Sequence, residues 1–345
     1  MKVILLSPLP PPSGGIARWT QLYLSECEKL DIKAAVVNTG ISLKRANQKN
    51  RSFTIWDEIL RTKKILFDTK KLIKIESADA IHICSPCSRF GLFRDWFCVK
   101  MAKKIPVFFH CHCNIEDQAR TKISRYILSV IVHKSKKVFV LNETSKKLID
   151  AIEPQKAVMI PNFIEDKCVR EKHNISEQIK TIVFVGHVKI KKGIREIYEV
   201  AESFKNIRFV VIGPVQQLPN GVEKPDNVIL EGEVKHEKLL SYWEQADLFL
   251  FPSHTEGFAN VMLEAMSSGL PIIATDVGSN KDMIENHGGI IVPVKDVKAM
   301  KKAIVEMENP ELRAKMSEWN IEKVREKYML SKVMPLIKEC YEGWQ

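Results

Sequence analysis

The stretch His254-Thr-Glu-Gly-Phe-Ala-Asn-Val-Met-Leu-Glu-Ala-Met-Ser-Ser-Gly-Leu-Pro271 decides how the second half of this 345-residue chain is interpreted. An apolar run at residues 248–252 leads into it, and a second apolar run at residues 271–275 leads out. Both runs have the length and composition of buried strands, whereas residues 261–268 between them have the pattern of a helix. The stretch therefore predicts a strand, a turn, a helix and a second strand in succession.

Two carboxylates, Glu256 in the turn and Glu264 in the helix, lie eight positions apart. Eight helical residues span about 12 Å, so the two acids are too far apart to share a proton and well spaced to grip two ends of an elongated ligand. A helix that begins after a strand's carboxyl end points free N–H groups at a crevice where an anion such as a diphosphate is stabilised. Two solvated glutamates on an ordinary amphipathic helix are the alternative.

The segment resembles the E-x7-E signature of the retaining glycosyltransferases of family GT4, which have the GT-B fold. The resemblance implies that Glu256 meets hydroxyls of the donor sugar and that Glu264 holds the nucleotide ribose. It also implies that backbone N–H groups of the turn and the helix start bind the sugar and its diphosphate. These groups belong to Gly257, Phe258, Ala259, Asn260 and Val261.

A lysine-rich loop at residues 186–193 resembles the family's Gly-Arg-x4-Lys-Gly loop. The chemistry needs cations there, because negative charge builds on a leaving diphosphate as the glycosidic bond breaks. After Gly186, Lys192 and Gly193 match the pattern, but His187 stands where the arginine is expected. Histidine is only partly charged near neutral pH and lacks the bidentate fork of arginine. Either Lys189 supplements the missing charge or the site is tuned differently.

The resemblance adds candidate positions elsewhere in the chain. Gly14 and Gly15 follow the first predicted strand; paired glycines allow a close approach of backbone to ligand and a positive φ, and the family's Gly-rich first loop faces the diphosphate and the acceptor. His112 ends a predicted strand where the family often has a histidine that contacts the primary hydroxyl of the reacting sugar. His110 shares its face, which leaves the choice between them open. Backbone groups near Val234 are implied to meet the edge of the nucleobase.

Short apolar runs alternate with helical segments along almost the whole chain, and this rhythm occurs twice. Such runs suit parallel strands covered on both faces, and the alternation predicts doubly wound α/β domains. We expect a GT-B fold with two Rossmann-like domains facing across a cleft: residues 1–164 for the acceptor and residues 165–328 for the nucleotide sugar. The polar stretch 165–180 is the expected crossing, and by resemblance a helix at about 329–345 packs back on the first domain. The predicted strands are residues 3–7, 34–38, 80–84, 106–112, 137–141, 157–161, 181–186, 208–213, 228–231, 248–252, 271–275 and 289–292.

The net charge of +11 is unevenly distributed, with +13 in residues 1–165 and −2 in the remainder. A basic first domain predicts contact with an anionic surface. The anionic inner face of the cell membrane is favoured over nucleic acid, because no nucleic-acid-binding motif is present. Basic amphipathic helices predicted at residues 56–75 and 122–137, with a basic loop at 44–51, would make this contact, unless their apolar stripes face the sheet. No apolar run reaches 18 residues and no secretory signal is recognisable, so we expect a cytoplasmic protein peripheral to the membrane.

The eight cysteines are expected to be reduced thiols. Cys84-Ser-Pro-Cys87 has redox-type spacing, and His110-Cys-His-Cys113 offers metal ligands. On a strand, however, His110 and His112 face one side and the two cysteines the other, so these four residues cannot close one tetrahedral site. No Asp-x-Asp occurs in the sequence. We therefore expect no metal and no cofactor beyond a UDP- or GDP-linked sugar donor.

These expectations combine into one function. The resemblance implies a retaining, metal-independent hexosyltransferase that moves a sugar from a nucleoside-diphosphate sugar to an acceptor, in particular a lipid-linked glycan of bacterial surface polysaccharide such as capsule or lipopolysaccharide. The expected catalytic residues are Glu256, Lys192, His112 and His187. The alternatives are a nucleotide-sugar epimerase of the same fold and a non-catalytic protein that binds a sugar nucleotide or nucleic acid.

Overall fold

The structure is a computed structural model that describes residues 1–11, 14–40 and 55–343. The chain divides into two compact units, Met1–Asn162 with Leu330–Gln345, and Phe163–Met329, called unit 1 and unit 2 below. Each unit contains a six-stranded parallel sheet, and a helix connects each pair of successive strands except β8 (Arg208–Ile212) and β9 (Val228–Gly232), which confirms the predicted fold class. The basic loop predicted at residues 44–51 lies outside the described residues.

Unit 1 begins with a strand and alternates strands with helices up to its sixth strand. Its strands are β1 (Lys2–Ser7), β2 (Lys33–Asn38), β3 (Ala80–Ser85), β4 (Val107–Cys111), β5 (Lys137–Val140) and β6 (Ala157–Met159). Its helices are α1 (Gly15–Cys27), α2 (Ile55–Ile75), α3 (Arg89–Met101), α4 (Ile115–Gln118), α5 (Lys122–Lys134) and α6 (Glu143–Ile152). The strands lie side by side in the order β2-β1-β3-β4-β5-β6.

Unit 2 repeats this plan with its own sheet and core. Its strands are β7 (Thr181–Val185), β8 (Arg208–Ile212), β9 (Val228–Gly232), β10 (Leu248–Phe251), β11 (Ile272–Thr275) and β12 (Gly289–Val292). Its helices are α7 (Ile194–Ala201), α8 (His236–Gln245), α9 (Asn260–Ser267), α10 (Asn280–Ile284), α11 (Val297–Glu306) and α12 (Pro310–Lys327). The strand order is β12-β11-β10-β7-β8-β9.

Burial on both faces explains why the strands could be recognised as continuous apolar runs. Every residue of β3, β4, β7, β10 and β11 is buried. Transferring one Val, Leu, Ile or Phe side chain from water to such a core stabilises the fold by about 1.5–3 kcal/mol, so each run is strongly held between two layers of helix. All twelve predicted strands are present, and their ends agree with the prediction to within two residues.

The last helix, α13 (Leu330–Glu342), belongs to unit 1 although it follows the whole of unit 2 in the chain. Its Tyr341 is buried, and the hydroxyl of Tyr341 lies 3.1 Å from the hydroxyl of Tyr23 on α1. The return of this helix to the first unit was expected from the resemblance, and the structure has it.

The crossing between the units does not lie where the polar composition predicted it. Residues 165–180 are bonded into unit 2: the N–H of Arg170 donates to the carbonyl of Ser267 at 2.9 Å, and Nε2 of His173 lies 3.0 Å from the carbonyl oxygen of Ala246. The chain instead crosses at residues 162–163 and 329–330. Among the described residues, no helix is both long enough and apolar enough to cross a bilayer.

Candidate active site

The strand order of unit 2 marks one point on the edge of its sheet. From β7 the chain winds towards β8 and β9, and from β10 it winds the other way towards β11 and β12. Open α/β sheets bind their ligands outside the carboxyl ends of the strands, at the point where the winding reverses. The lysine-rich loop follows β7 and the E-x7-E stretch follows β10, so the fold brings the two predicted motifs together at this reversal.

Lys192 and Glu256 form an ion pair at the reversal point, in which Nζ of Lys192 donates to Oε1 of Glu256. Ser253 holds the same carboxylate, since its hydroxyl donates to Oε1 of Glu256 at 2.7 Å. The two charged side chains retain 22% and 12% of their exposure, so the pair is shielded but open to solvent on one side. A cation and a carboxylate that are fixed side by side can contact a phosphate and a neighbouring hydroxyl of one ligand.

Two glycines allow the loops around Glu256 to approach each other. Gly193 has a φ of +85°, and a Cβ placed on it would lie 2.3 Å from the carbonyl oxygen of Pro252. Gly278 has a φ of +57°, and its Cβ would lie 2.5 Å from the carbonyl oxygen of Glu256. Neither position accepts a side chain without displacing backbone, so the turn at Glu256 and Gly257 is held on two sides.

The ends of β7, β8 and β9 form a series of closely packed glycines. Gly186 donates its N–H to the carbonyl of Ile212 at 2.9 Å, and Gly213 donates to the carbonyl of Gly232 at 2.7 Å. A Cβ on Gly213 would lie 2.0 Å from the carbonyl oxygen of Gly186, so backbone alone forms this surface. Gly186 was a predicted site residue, whereas Gly213 was not, although a glycine after each of three successive strands is a visible signal. Val234 lies two residues beyond β9, half-buried against the core.

Helix α9 begins at Asn260, one residue before the predicted start. Ala259 occupies the N-cap and has no side-chain acceptor, so the helix start presents backbone rather than a capping oxygen. Val261 and Glu264 are half-buried on successive turns of this helix. Phe258, also half-buried, packs edge-on against the ring of Tyr328 with the ring centroids 5.9 Å apart.

His187 does not supply the positive charge that the missing arginine would carry. Burial lowers the pKa of its imidazole, and the positive charges of Lys189 and Lys192 lower the pKa further. Its ring is therefore largely neutral near pH 7. Of the predicted cations, Lys192 lies against Glu256, whereas Lys189 precedes the short 3-10 helix Ile190–Lys192. His187 can donate or accept a hydrogen bond there but cannot replace the arginine as a fixed cation.

The sequence reasoning missed a third acidic residue, Glu196, beside Glu256 and Glu264. Nε2 of His254 lies 2.9 Å from Oε1 of Glu196 on α7, and the N–H of His254 donates to the carbonyl of Lys191 at 3.0 Å. Glu196 is only 4% exposed, which is rare for a carboxylate without a partner. These contacts tie the start of the E-x7-E stretch to the lysine-rich loop. No sequence pattern indicated them, because Glu196 resembles any polar residue of an amphipathic helix.

In unit 1, the glycine pair after β1 lies at the start of α1. Gly14 is the N-cap of α1 with an extended φ of −175°, which any residue can adopt, and Gly15 is the first residue of that helix. Gly14 therefore does not use the positive φ that glycine allows. A Cβ on Gly14 would meet nothing within 4 Å, so the space above the start of α1 is open.

The two histidines of β4 and its end differ in accessibility. His110 is fully buried, whereas His112 is half-buried, and the two rings stack with centroids 3.9 Å apart. Burial lowers the pKa of His112 to about 3, so its ring is neutral and suited to hydrogen bonding rather than to ion pairing. Of the two candidates, only His112 keeps part of its surface exposed, although its Nε2 is buried without a partner among the described residues.

Residues 165–323 match the family model described as "Glycosyl transferases group 1". The chain is similar to the putative teichuronic acid biosynthesis glycosyltransferase TuaC of Bacillus subtilis, with 28% identity over 145 residues that cover 42% of this chain and 37% of that protein. It is also similar to the capsular polysaccharide biosynthesis glycosyltransferase CapM of Staphylococcus aureus, with 28% identity over 233 residues, 63% of this chain and 57% of that protein. The matches thus span less than two thirds of these relatives' lengths.

Solved structures share the fold of the whole chain. Sucrose-phosphate synthase of Thermosynechococcus elongatus matches with a TM-score of 0.78 and 16% identity, over 99% of this chain and 98% of that one. The lipopolysaccharide outer core galactosyltransferase WaaB matches with a TM-score of 0.76 and 15% identity over the full length of both chains. Together with the family model, these matches identify the architecture as GT-B. Residues 165–323, which lie in unit 2, therefore resemble the domain of the group 1 glycosyltransferases.

Proposed function

We propose that this protein is a retaining, metal-independent glycosyltransferase that transfers a sugar from a UDP- or GDP-linked donor to a glycan or lipid-linked acceptor in bacterial surface polysaccharide or glycolipid synthesis. The observation that carries the proposal is the Lys192–Glu256 pair at the winding reversal of unit 2. A nucleotide sugar has an anionic diphosphate next to a ring of hydroxyls, and this pair offers a cation and an acceptor of hydrogen bonds side by side.

In this proposal Lys192 faces the diphosphate and Glu256 faces hydroxyls of the donor sugar. Glu264, two turns further along, holds the nucleotide ribose, and the backbone from Gly257 to Val261 binds the sugar and diphosphate. As the bond between the anomeric carbon and the phosphate oxygen breaks, the phosphate gains negative charge, which the Lys192 ammonium stabilises. Stabilisation by an ammonium and backbone N–H groups is the reason to propose that no metal is required.

Retention is what the resemblance to family GT4 implies, and no obvious nucleophile occurs among the motif residues. The acceptor hydroxyl attacks the anomeric carbon on the face from which the phosphate departs, and the departing phosphate oxygen takes the hydroxyl proton. One glycosidic bond forms and one carbon–phosphate oxygen bond breaks, with release of a nucleoside diphosphate. His112 and His187, both neutral, are proposed to hydrogen-bond the sugar and the diphosphate, and Gly14 and Gly15 to border the acceptor and diphosphate.

The relatives support the substrate classes. A capsular polysaccharide glycosyltransferase and a processive diacylglycerol alpha-glucosyltransferase are among the proteins that resemble this chain. A structural neighbour, HepE of Anabaena, was solved in complex with UDP and glucose. These names support a nucleotide-sugar donor and a surface-glycan or lipid acceptor for this chain.

We also propose that unit 1 binds the anionic inner face of the cell membrane through helix α2. Its buried side carries Ile65 and Thr69, as expected if one apolar stripe faces the sheet. Its other side exposes Trp56, Leu60 and Phe67, which remain 71%, 62% and 68% accessible. A stripe that faces the core explains why Ile65 and Thr69 are apolar or buried. It does not explain why large apolar side chains lie on the exposed side of the helix.

Helical periodicity places lysines on the same exposed side of α2. Relative to Trp56, residues 60, 63, 67, 71 and 74 recur every three or four positions and therefore share one face. Lys63, Lys71 and Lys74 of this set are exposed. Apolar side chains interspersed with lysines are typical of helices that lie in a membrane interface. Helix α5 adds Ile123 and Tyr126, 62% and 69% exposed, on the same unit.

Thermal stabilisation by a panel of UDP- and GDP-sugars tests the donor assignment, because a bound donor raises the melting temperature. Wild type is expected to respond to one nucleotide series, and Lys192→Met to lose that response. Lys205→Met, which removes an exposed lysine that pairs with Glu202 on the surface, is the matched control and should respond as wild type does. If a nucleotide sugar raised the melting temperature of Lys192→Met as much as that of wild type, Lys192 would not be part of the donor site.

Turnover assays separate the proposed reaction from its rivals. A transferase consumes donor only when an acceptor, such as an undecaprenyl- or diacylglycerol-linked glycan, is present. Conversion of the donor to its epimer without acceptor would indicate the epimerase, and donor binding without any conversion would indicate a binding protein. Affinity for DNA or RNA that falls steeply with salt would indicate the nucleic-acid alternative.

A further inference from the structure

Three metal-ligating side chains of unit 1 meet on one face of its sheet. His82 and Cys84 are two positions apart on β3 and therefore point to the same side. Cys84 pairs in register with His110 on the neighbouring strand β4, which places His110 on that side as well. All three side chains are fully buried, with 0% exposure. They are called the His–Cys–His cluster below.

The spacing within the cluster fits one metal ion. One ligand atom from each residue lies within 4.8 Å of the others. Nε2 of His82 is 3.3 Å from Nδ1 of His110. Two nitrogens bound to one tetrahedral zinc ion at about 2.0–2.1 Å are about 3.3 Å apart, so the two imidazoles already have the separation of ligands. As a hydrogen bond between neutral rings, the same distance would be long.

A set of outer contacts orients the ligands. Nδ1 of His82 is hydrogen-bonded to the hydroxyl of Tyr341, which in turn lies 3.1 Å from the hydroxyl of Tyr23. These contacts turn Nε2 of His82 into the cluster, in the way that hydrogen-bonded partners orient metal-binding histidines. On the other side, Nε2 of His110 is buried and has no partner among the described residues. A polar cluster this deeply buried and only partly satisfied is costly in an ordinary core.

We propose that the His–Cys–His cluster binds a single divalent transition-metal ion of the zinc class, in a role distinct from that of the Lys192–Glu256 pair. Two imidazoles and one thiolate suit Zn²⁺, which is bound by nitrogen and sulfur, and do not suit Mg²⁺ or Ca²⁺, which require oxygen ligands. The ion would join β3 to β4, and through Tyr341 it would join both strands to α13. It is a structural site and lies in unit 1, whereas Lys192 and Glu256 lie in unit 2.

Ion binding includes one proton transfer. The imidazoles bind the metal in their neutral form, and the thiol binds it as a thiolate. When the bond between the metal and Sγ forms, the S–H bond breaks and the proton leaves to water. Because all three ligands are inaccessible in the folded unit, we expect the ion to enter during folding.

Refolding with cobalt provides a direct test, since Co²⁺ occupies zinc sites and gives a visible thiolate-to-cobalt absorption band. Wild type unfolded in denaturant and refolded with equimolar Co²⁺ should hold about one ion per chain and show the band. Cys84→Ser should lose the band and retain less than about a tenth of the cobalt after desalting. Cys98→Ser, which alters an equally buried cysteine outside the cluster, is the matched control and should behave as wild type.

Elemental analysis of the protein purified from zinc-supplemented cells is the second measurement and needs no refolding. About one zinc per chain is expected in wild type and Cys98→Ser. Wild type that holds neither zinc nor cobalt would overturn the proposal, as would a band that survives in Cys84→Ser. Loss of the band in Cys87→Ser with retention in Cys84→Ser would place the ion on Cys87, Cys111 and Cys113 and would equally overturn it. None of these outcomes depends on transfer activity.

Discussion

Gly193 lies so close to Pro252 that a Cβ on the glycine would be 2.3 Å from the proline carbonyl oxygen. The loop after β7 and the loop after β10 therefore approach each other closely at this glycine. This contact brings Lys192, the residue before the glycine, to Glu256, four residues after the proline.

Gly193→Ala is expected to destabilise unit 2 and to reduce transfer. The substitution combines a strained φ of +85° with the clash against Pro252, and strain of this kind costs about 1–3 kcal/mol before the clash is counted. Gly221→Ala is a matched control, because Gly221 has a φ of +69° and its Cβ would meet nothing within 4 Å. Melting temperature and turnover should fall clearly further for Gly193→Ala than for the control. Equal losses in both variants would mean that the contact between the loops does not matter.

Glu256→Gln is expected to lower kcat/KM by about 10- to 100-fold while leaving the melting temperature nearly unchanged. The amide keeps the size of the side chain but loses the charge that strengthens a hydrogen bond to a sugar hydroxyl. The fold should tolerate the change because Glu256 and Lys192 remain partly exposed to water. Steady-state kinetics with circular dichroism checks both parts. Wild-type kinetics in this variant would exclude Glu256 from the site.

Donor affinity is expected to rise as the pH falls below about 6.5, through His187. Its pKa is lowered by burial, so protonation, and with it an added positive charge beside the diphosphate, occurs only on the acidic side of the usual value. A nucleotide sugar is a better probe than a free nucleotide, since its two phosphates are both esterified and keep a constant charge over this range.

His187→Arg should bind the donor more tightly at pH 7.5 and lose this pH dependence, because arginine is charged throughout. His187→Gln should also lose the pH dependence, but at the weaker, uncharged level. Calorimetric titration at pH 5.5, 6.5 and 7.5 on the three proteins measures both effects. A pH profile that persists in His187→Gln would assign the dependence to another group.

Membrane binding is expected to depend on the exposed face of α2. Leu60→Ser with Phe67→Ser should reduce binding to vesicles that contain anionic lipid by at least about 10-fold, since burial of each side chain contributes up to about 1.5–3 kcal/mol. Wild-type binding should weaken as salt is raised, because the lysines act through screened charges. Val305→Ser, which alters a side chain 55% exposed on α11 of unit 2, is the control. Vesicle binding that is unchanged by both the double substitution and added salt would contradict a membrane role for α2.

The sequence predicted the elements of both units because each strand is a continuous apolar run and the sheets are covered on both faces. It also predicted the partnership of the lysine-rich loop with the E-x7-E stretch, because parallel strands end at one edge of their sheet. The salt bridge between Lys192 and Glu256 could not be predicted, since it depends on how closely Gly193 approaches Pro252.

Contacts that depend on the register between strands could not be predicted from the sequence. The alternation at His110-Cys-His-Cys113 argued against a metal site, and this holds for those four residues. The pairing of Cys84 with His110 across β3 and β4 brings His82 and Cys84 next to His110, although they lie on a strand that is distant in the sequence. No local sequence pattern indicates that pairing. The contact between the side chains of His254 and Glu196 is likewise between residues far apart in the sequence and could not be predicted from a local pattern. At Gly14 the positive φ that glycine allows is not used, since the backbone there is extended.

The position of α13 has a consequence for how the protein is made. Unit 1 includes residues 330–345, which a ribosome adds only after it has completed residues 163–329. The first half of the nascent chain must therefore wait, with the surface around Tyr23 uncovered, for α13 to emerge. Chaperones that act during translation would meet the amino-terminal portion of this polypeptide for longer than the portion that follows it.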